Sequence, residues 1–198
     1  MGGHADGAQA AETGLRVVQD MFMEARMPIF DPQGFLYMAL SRAHDEVVTL
    51  GRDVAVDFRP RATCAVCLVQ EGGSFWAHIG DSRIYQVRNG IVLERSRDHS
   101  HVEVLIQEGA ITEEEAQDHP MRNFVECCIG GDAPVPDMTI TGGKKLEPGD
   151  VLLVGKMAER HLPIIEELHL RIVGQARPTD AVLGREGEVS ELVLDLFL

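Results

Sequence analysis

The four cysteines of this 198-residue sequence have spacings that could serve metal binding or thiol chemistry. Cys64 and Cys67 share the C-x-x-C spacing of zinc and redox sites. They lie in an apolar stretch at 62–69 that predicts a buried strand, in which residues three apart point to opposite faces. Cys127 and Cys128 would diverge for the same reason if they too lay in a strand. We therefore expect reduced thiols that pack as small hydrophobic side chains.

His99 and His101 form the histidine pair that lies closest in sequence. A metal site there would need a third ligand that the sequence does not identify, so a polar loop is the favoured interpretation. The neighbouring turn Asp81-Ser82-Arg83 contains a serine, but no G-x-S-x-G motif or ordered Ser, Asp and His series supports a serine nucleophile. Ser82 and Arg83 are predicted to fix the turn by hydrogen bonds.

Helices and short strands must position these residues. Apolar residues at helical spacing predict one helix over 5–27 and a second over about 32–50. Short apolar runs separated by Gly-Gly and Asn-Gly then predict an antiparallel meander over 62–94. Residues 98–123 are predicted to form a helical excursion from the sheet, with Thr112 as the N-cap of its Glu-rich part.

The remaining segments complete the predicted fold. Strands are predicted at 124–129, 138–141 and 151–154, followed by a helix at 163–173 and a closing strand at 191–198. Two helices, many short strands and a terminal helix predict an α+β fold, in which helices pack outside an antiparallel β-sandwich. With 44% hydrophobic residues, the 198 residues suffice for one domain with its own core.

The charge of the chain limits its partners. It carries 18 Lys and Arg residues against 32 Asp and Glu residues, a formal net charge of -14. This much negative charge repels nucleic-acid phosphates and anionic lipids, so we expect neither nucleic acid nor membrane as a partner. No apolar run approaches the ~20 residues of a membrane span, and the start has no signal-peptide pattern. A cytoplasmic location is the expectation.

Several short sequences carry a resemblance to a known family. Met1 to Gly7 at the start of a helix, Gly80-Asp-Ser-Arg-Ile-Tyr85 between two strands, and Asp98-His-Ser100 occur in family-like order. His119-Pro-Met-Arg-Asn123 adds a pattern of bacterial members. Over essentially its whole length, the chain resembles the metal-dependent serine/threonine phosphatases of the type 2C class.

The resemblance implies an α/β/β/α sandwich and a specific chemistry. Two Mg²⁺ or Mn²⁺ ions would activate a bridging water for attack on phosphoserine or phosphothreonine in a protein. Asp180 would be a metal ligand, and Asp81 matches an aspartate that can hold a third, more weakly bound ion. Gly2, Gly3, His4 and Ser82 would line the cleft. The resemblance assigns no catalytic side chain with certainty, so that role is unknown.

The resemblance also implies that metal ligands are missing. In the family an Asp-Gly precedes the Met-Gly-Gly at which this sequence begins, so we expect the first ligands and the first strands to be absent. Where the family has Ser-Asp-Gly, the sequence reads Gly155-Lys156-Met157-Ala158 and places Met157 at a ligand position. A thioether does not replace a carboxylate for Mg²⁺ or Mn²⁺. Binding of these ions is therefore expected to be weak or absent.

Two functions remain open on these grounds. The chain is either a protein phosphatase that is catalytically impaired or inactive as written, a pseudophosphatase or a truncated form, or a non-catalytic regulatory or protein-binding module that uses the phosphatase fold. Lys156 and Met157 favour the second. A phosphoprotein or another protein is the expected partner, and a homodimer through an exposed strand edge is a further expectation.

Overall fold

Two long helices begin the part of the chain that the computed structural model describes, which is residues 6–132, 136–155, 180–184 and 190–197. α1 spans Gly7–Glu24 and α2 spans Pro32–Leu50, as the apolar spacing predicts. Asp31 caps α2 by accepting a hydrogen bond from the Gly34 N–H at 3.0 Å, and Pro32 takes the first helical position. Within the described ranges, no helix is both long and apolar enough to cross a membrane.

Nine short antiparallel strands follow the two long helices among the described residues. They are β1 (Arg61–Gln70), β2 (Gly73–Ile79), β3 (Arg83–Arg88), β4 (Ile91–Arg95), β5 (Ile129–Gly130), β6 (Thr139–Lys145), β7 (Val151–Gly155), β8 (Asp180–Gly184) and β9 (Ser190–Phe197). A 3₁₀ turn, Val56–Phe58, precedes β1. Two short helices, α3 (His101–Gln107) and α4 (Glu113–Gln117), lie between β4 and β5. Thr112 and Glu115 form a capping box at α4, which confirms the predicted N-cap.

The strands form two sheets rather than one. The larger has the order β6-β2-β1-β9-β8, with β5 paired to β1, and the smaller has the order β4-β3-β7. The meander predicted over 62–94 is therefore wrong as a single sheet, because the chain leaves the first sheet after β2 and enters the second at β3. Both faces of β1 are apolar, so each face must be covered by another layer. The helices α1 and α2 cover one face, and the second sheet, which begins at β3, covers the other.

β1 separates two hydrophobic cores. Cys64 lies on the face toward α1 and α2, whereas Cys67 lies on the opposite face with Trp76 and Ile84, between the two sheets. The predicted divergence of Cys64 and Cys67 is confirmed, and both side chains are fully buried. Trp76 is 1% exposed, and its indole N–H donates to Ser74 Oγ at 3.1 Å. The arrangement is an antiparallel sandwich with helices on one side.

Some sequence predictions fail or lie outside the described residues. The strand predicted at 124–129 is reduced to Ile129–Gly130, because Val125 instead forms an isolated bridge with Ser100 and the Glu126 N–H donates to the His99 carbonyl at 2.8 Å. These bonds attach the segment to the helical excursion. The strand at 180–184 was not predicted. The helix predicted at 163–173 falls outside the described residues.

Candidate functional site

The crossing between the two sheets is a tight corner at 80–82. Gly80 has φ +97°, and a Cβ atom there would lie 2.7 Å from Thr63 Cβ, so only glycine fits. Ser82 is fully buried and shares a hydrogen bond of 2.8 Å with Thr63 Oγ1. The corner is thereby attached to β1. Asp81 lies between these two fixed residues and is half-buried.

An ion pair fixes the outgoing side of the corner. The Asp98 carboxylate accepts hydrogen bonds from Arg83 Nε at 2.6 Å and from Nη2 at 2.7 Å, a bidentate arrangement. The Asp98 side chain is 10% exposed and that of Arg83 is 21% exposed. Burial disfavours the Arg83 charge, but the bonds to Asp98 raise the pKa of Arg83 above its ordinary value. This confirms the prediction that Arg83 fixes the turn by hydrogen bonds.

Two histidines pack against the incoming side. The rings of His78 and His99 are 4.7 Å apart, centroid to centroid. His99 Nδ1 accepts the Gly80 N–H at 3.3 Å, so its proton resides on Nε2, which donates to Thr139 Oγ1 at 2.9 Å. His78 Nε2 donates to the Arg97 carbonyl at 2.6 Å. His101 lies apart from this pair, with Nδ1 3.3 Å from Glu126 Oε1.

Both rings are held neutral. Burial and, second, the adjacent His78 lower the pKa of His99 to about 4, against the opposing effect of nearby carboxylates. Burial also lowers the pKa of His78 below its usual value, against opposing effects of the Arg97 carbonyl and Asp98. A neutral His99 is required by the bond from Gly80, since a protonated Nδ1 has no lone pair to accept it.

Acidification is therefore expected to destabilise the fold. Between pH 6.5 and about 4 the unfolded chain binds a proton that the folded His99 does not, so stability falls as pH falls through this window. The lowered pKa of His78 acts in the same direction. The expected contribution of His99 is about 1–2 kcal/mol, less than its full shift because the ring is partly exposed. Urea unfolding at several pH values measures it. His99→Gln should reduce the dependence of the unfolding free energy on pH. His119→Gln, a control outside the pair, should leave that dependence unchanged. If the wild-type protein and both variants show the same pH dependence, the assignment to His99 is wrong.

The two acidic residues predicted from the resemblance lie in separate segments of the fold. Asp180 begins β8 and pairs with Asp195 of β9, which pairs with Ala65 of β1, which pairs with His78 of β2. Asp81 follows the end of β2, so three strand spacings, about 14 Å, separate its backbone from that of Asp180. A Mg²⁺ ion with ligand distances of about 2.1 Å does not connect backbones that far apart. Asp81 and Asp180 are thus not brought together.

Other predicted site residues can be placed only in part. Gly2, Gly3, His4 and Met157 lie outside the described residues. Gly155 ends β7 and pairs with Arg83, so this end of β7 is next to the corner. Among the residues that the structure describes, no three His, Cys, Asp or Glu side chains are grouped to hold a metal ion.

A cleft of about 270 Å³ lies beside the corner, at the start of β1. The Arg61 side chain lines this cleft and lies close to Gly131. Its Nη2 donates to the Val56 carbonyl at 3.2 Å. The cleft is also lined by both adjacent cysteines and by three acids, Cys127, Cys128, Glu126, Asp132 and Asp137. The divergence of Cys127 and Cys128 was expected only in a strand, and neither cysteine is in a strand.

Sequence reasoning missed this cleft. The adjacent cysteines are the available signal, but the sequence predicts that their side chains diverge only if they lie in a strand. Val125 and Glu126 bond to the excursion rather than to a sheet, which releases the following two residues from strand geometry. That contact joins residues about 25 positions apart and has no local sequence signature.

Comparison with known proteins finds clear relatives, although no protein-family model matches the chain. A putative protein phosphatase 2C-type of Streptococcus pyogenes is 38% identical over 162 residues, which are 78% of this chain and 62% of that protein. The chain thus spans less than two thirds of that relative's length. Protein phosphatase PhpP of Streptococcus pneumoniae is 31% identical over 157 residues, again 78% of this chain and 62% of that protein.

Solved structures share the fold. The serine/threonine phosphatase of S. agalactiae superposes with a TM-score of 0.70 at 25% identity. The match covers 100% of this chain and 84% of the S. agalactiae phosphatase. The catalytic domain of the phosphatase PstP, solved in complex with two manganese ions, superposes with a TM-score of 0.67 at 20% identity and is matched over 85% of its length. The second likeness concerns the fold alone.

Proposed function

Since this chain is a homologue of the type 2C serine/threonine phosphatases, with the fold of that family, we propose that its 198 residues form a phosphatase-like module that does not assemble a working two-metal centre. Met157, a neutral thioether at the position of a family carboxylate, is the observation that carries this proposal. A two-metal mechanism requires carboxylates that hold the ions about 3.5–4 Å apart. Asp81 corresponds to a third, more weakly bound ion and lies three strand spacings from Asp180, so it does not replace the missing ligand.

Metal binding is part of the proposal. Mg²⁺ or Mn²⁺ would supply the activated water and neutralise the phosphoryl oxygens in a working relative. In this chain Asp81 is the described residue best placed to hold a single hydrated ion, because the corner fixes its backbone on both sides. One carboxylate binds such an ion only weakly, so we propose that Mn²⁺ binds weakly or not at all.

The experiment is a phosphatase assay of the 198-residue chain. Phosphate release from a phosphothreonine peptide is measured with Mn²⁺ and with EDTA, beside the Streptococcus pyogenes relative as the reference enzyme. We expect no difference between Mn²⁺ and EDTA for this chain. Turnover that requires Mn²⁺, is lost in Asp81→Ala and is retained in Asp53→Ala, an exposed acid away from the corner, would overturn the proposal.

A binding role is the alternative within the same fold. Met121 and Phe124 at the end of the helical excursion are 39% and 51% exposed, and they offer apolar contacts to a phosphoprotein or another protein. Ile91 and Leu93 on the edge strand β4 are 65% and 50% exposed, which supports a homodimer through that edge. A cytoplasmic location completes the proposal. Light scattering distinguishes the dimer from a monomer, and peptide binding without phosphate release distinguishes the binding role from catalysis.

A further inference from the structure

Cys127 and Cys128 share one cleft, although they are consecutive residues. Both line the space beside Arg61, both are half-buried, and neither belongs to a strand. Their Cα atoms are about 3.8 Å apart across the peptide bond. Cys127 is also among the groups that act electrostatically on Cys128, so the two thiols lie near each other on the same cleft. Nothing in the proposed function uses either of them.

The surroundings of the two thiols select the chemistry. Burial raises the pKa of Cys127, with further contributions from Asp137 and Glu126. Burial likewise raises the pKa of Cys128 against the opposing charge of Arg61. Thiols kept protonated react slowly with peroxides and alkylating reagents, which require the thiolate. Zn²⁺ also requires thiolates, so neither oxidation nor zinc binding is favoured.

We propose that Cys127 and Cys128 form a vicinal dithiol site for trivalent arsenicals. Such a compound, R-As(OH)₂, condenses with two neutral thiols. Two S-As bonds form, two As-OH bonds break, and each hydroxyl leaves as water with one thiol proton. Arsenic remains trivalent and both sulfurs keep their oxidation state, so no oxidant or reductant takes part. The product is a ring through both sulfurs and the intervening peptide unit.

The other cysteine pair in the chain provides an internal comparison. Cys64 and Cys67 are fully buried on opposite faces of β1, in two separate cores. They cannot reach one arsenic atom while the sheet is intact. The proposal therefore predicts that an arsenical binds only the Cys127-Cys128 pair in the folded protein, whereas both cysteine pairs react in the unfolded chain.

The test uses phenylarsine oxide with the folded 198-residue chain. Native mass spectrometry should show one adduct per chain. Trypsin separates the two pairs, since cleavage after arginine and lysine places Cys64 and Cys67 in peptide 62–83 and Cys127 and Cys128 in peptide 123–144. The adduct should be found on 123–144, should resist 2-mercaptoethanol, and should be removed by 1,2-ethanedithiol, because a chelate resists monothiols. In urea both peptides should be modified.

Single substitutions provide the second readout. Cys127→Ser and Cys128→Ser should each weaken binding about a hundredfold or more, because the second bond of a chelate forms at high effective concentration. Cys67→Ala should leave binding unchanged. Absence of an adduct, an adduct on 62–83 in the folded protein, removal by 2-mercaptoethanol, or retention in both serine variants would each overturn the proposal. If a variant fails to fold, the peptide map of the protein without substitutions still tests the proposal.

Discussion

Gly130→Ala is expected to lower the free energy of unfolding by about 3–4 kcal/mol. Gly130 has φ +83°, a conformation that alanine adopts only with strain. A Cβ atom would also overlap the Pro60 carbonyl oxygen and lie 2.6 Å from Val47 Cγ1. A backbone oxygen cannot rotate away as a flexible side chain does, and the pairing of Gly130 with Arg61 holds β5 against β1.

A matched glycine separates the two contributions to this cost. Gly90 has φ +76° in the hairpin between β3 and β4, but no atom lies within 4 Å of its Cβ position. Gly90→Ala should therefore lose only about 1 kcal/mol, the cost of the backbone conformation. Urea unfolding followed by circular dichroism measures both variants. Equal losses would show that the collision at Gly130 is relieved at no cost.

Asp98→Ala is expected to lose about 3 kcal/mol, because it leaves the partly buried Arg83 guanidinium without its carboxylate. Both hydrogen bonds, at 2.6 and 2.7 Å, are lost together. The cost is chiefly that of removing the carboxylate that accepts two hydrogen bonds from the Arg83 charge, so Arg83→Leu in the same protein should recover part of it. The corner that carries Asp81 should loosen at the same time.

Denaturant unfolding of the two single variants and the double variant measures this coupling. The double variant should be more stable than Asp98→Ala alone. Glu113→Ala is the control, since Glu113 is 67% exposed in its ion pair with Arg95 at 3.8 Å and should cost less than about 1 kcal/mol. If Asp98→Ala behaves like Glu113→Ala, the bidentate pair does not stabilise the corner.

The sequence was sufficient to predict most individual elements. Apolar spacing predicted α2 over about 32–50, and the Asn89-Gly90 turn predicted the β3-β4 hairpin, in which both turn residues have positive φ. These signals are local, as is the Thr112 N-cap of α4, because each involves residues that are close in sequence. The opposite burial of Cys64 and Cys67 also followed from alternation along a strand.

The grouping of those elements was not predictable in the same way. A strand with two apolar faces needs two covering layers, but nothing near Gly80 in sequence says that the chain will change sheets there. The two chemically distinct clusters at this corner, the His78-His99 pair and the Cys127-Cys128 cleft, depend on contacts between distant segments. Motif order identified Asp81 and Asp98 as residues of interest, whereas their actual neighbours required the fold.

The position of Trp76 gives this protein a built-in optical reporter. It is the only tryptophan in the sequence, and it lies between the two sheets with Lys144 Nζ 4.8 Å from its ring. Its emission should therefore be blue-shifted in the native state and move to longer wavelength when the sheets separate. Since α1 and α2 pack on the other face of β1, loss of the helices alone should leave that emission largely unchanged. Fluorescence and far-ultraviolet circular dichroism thus monitor different layers, and coincident transitions would show that the layers unfold as one unit.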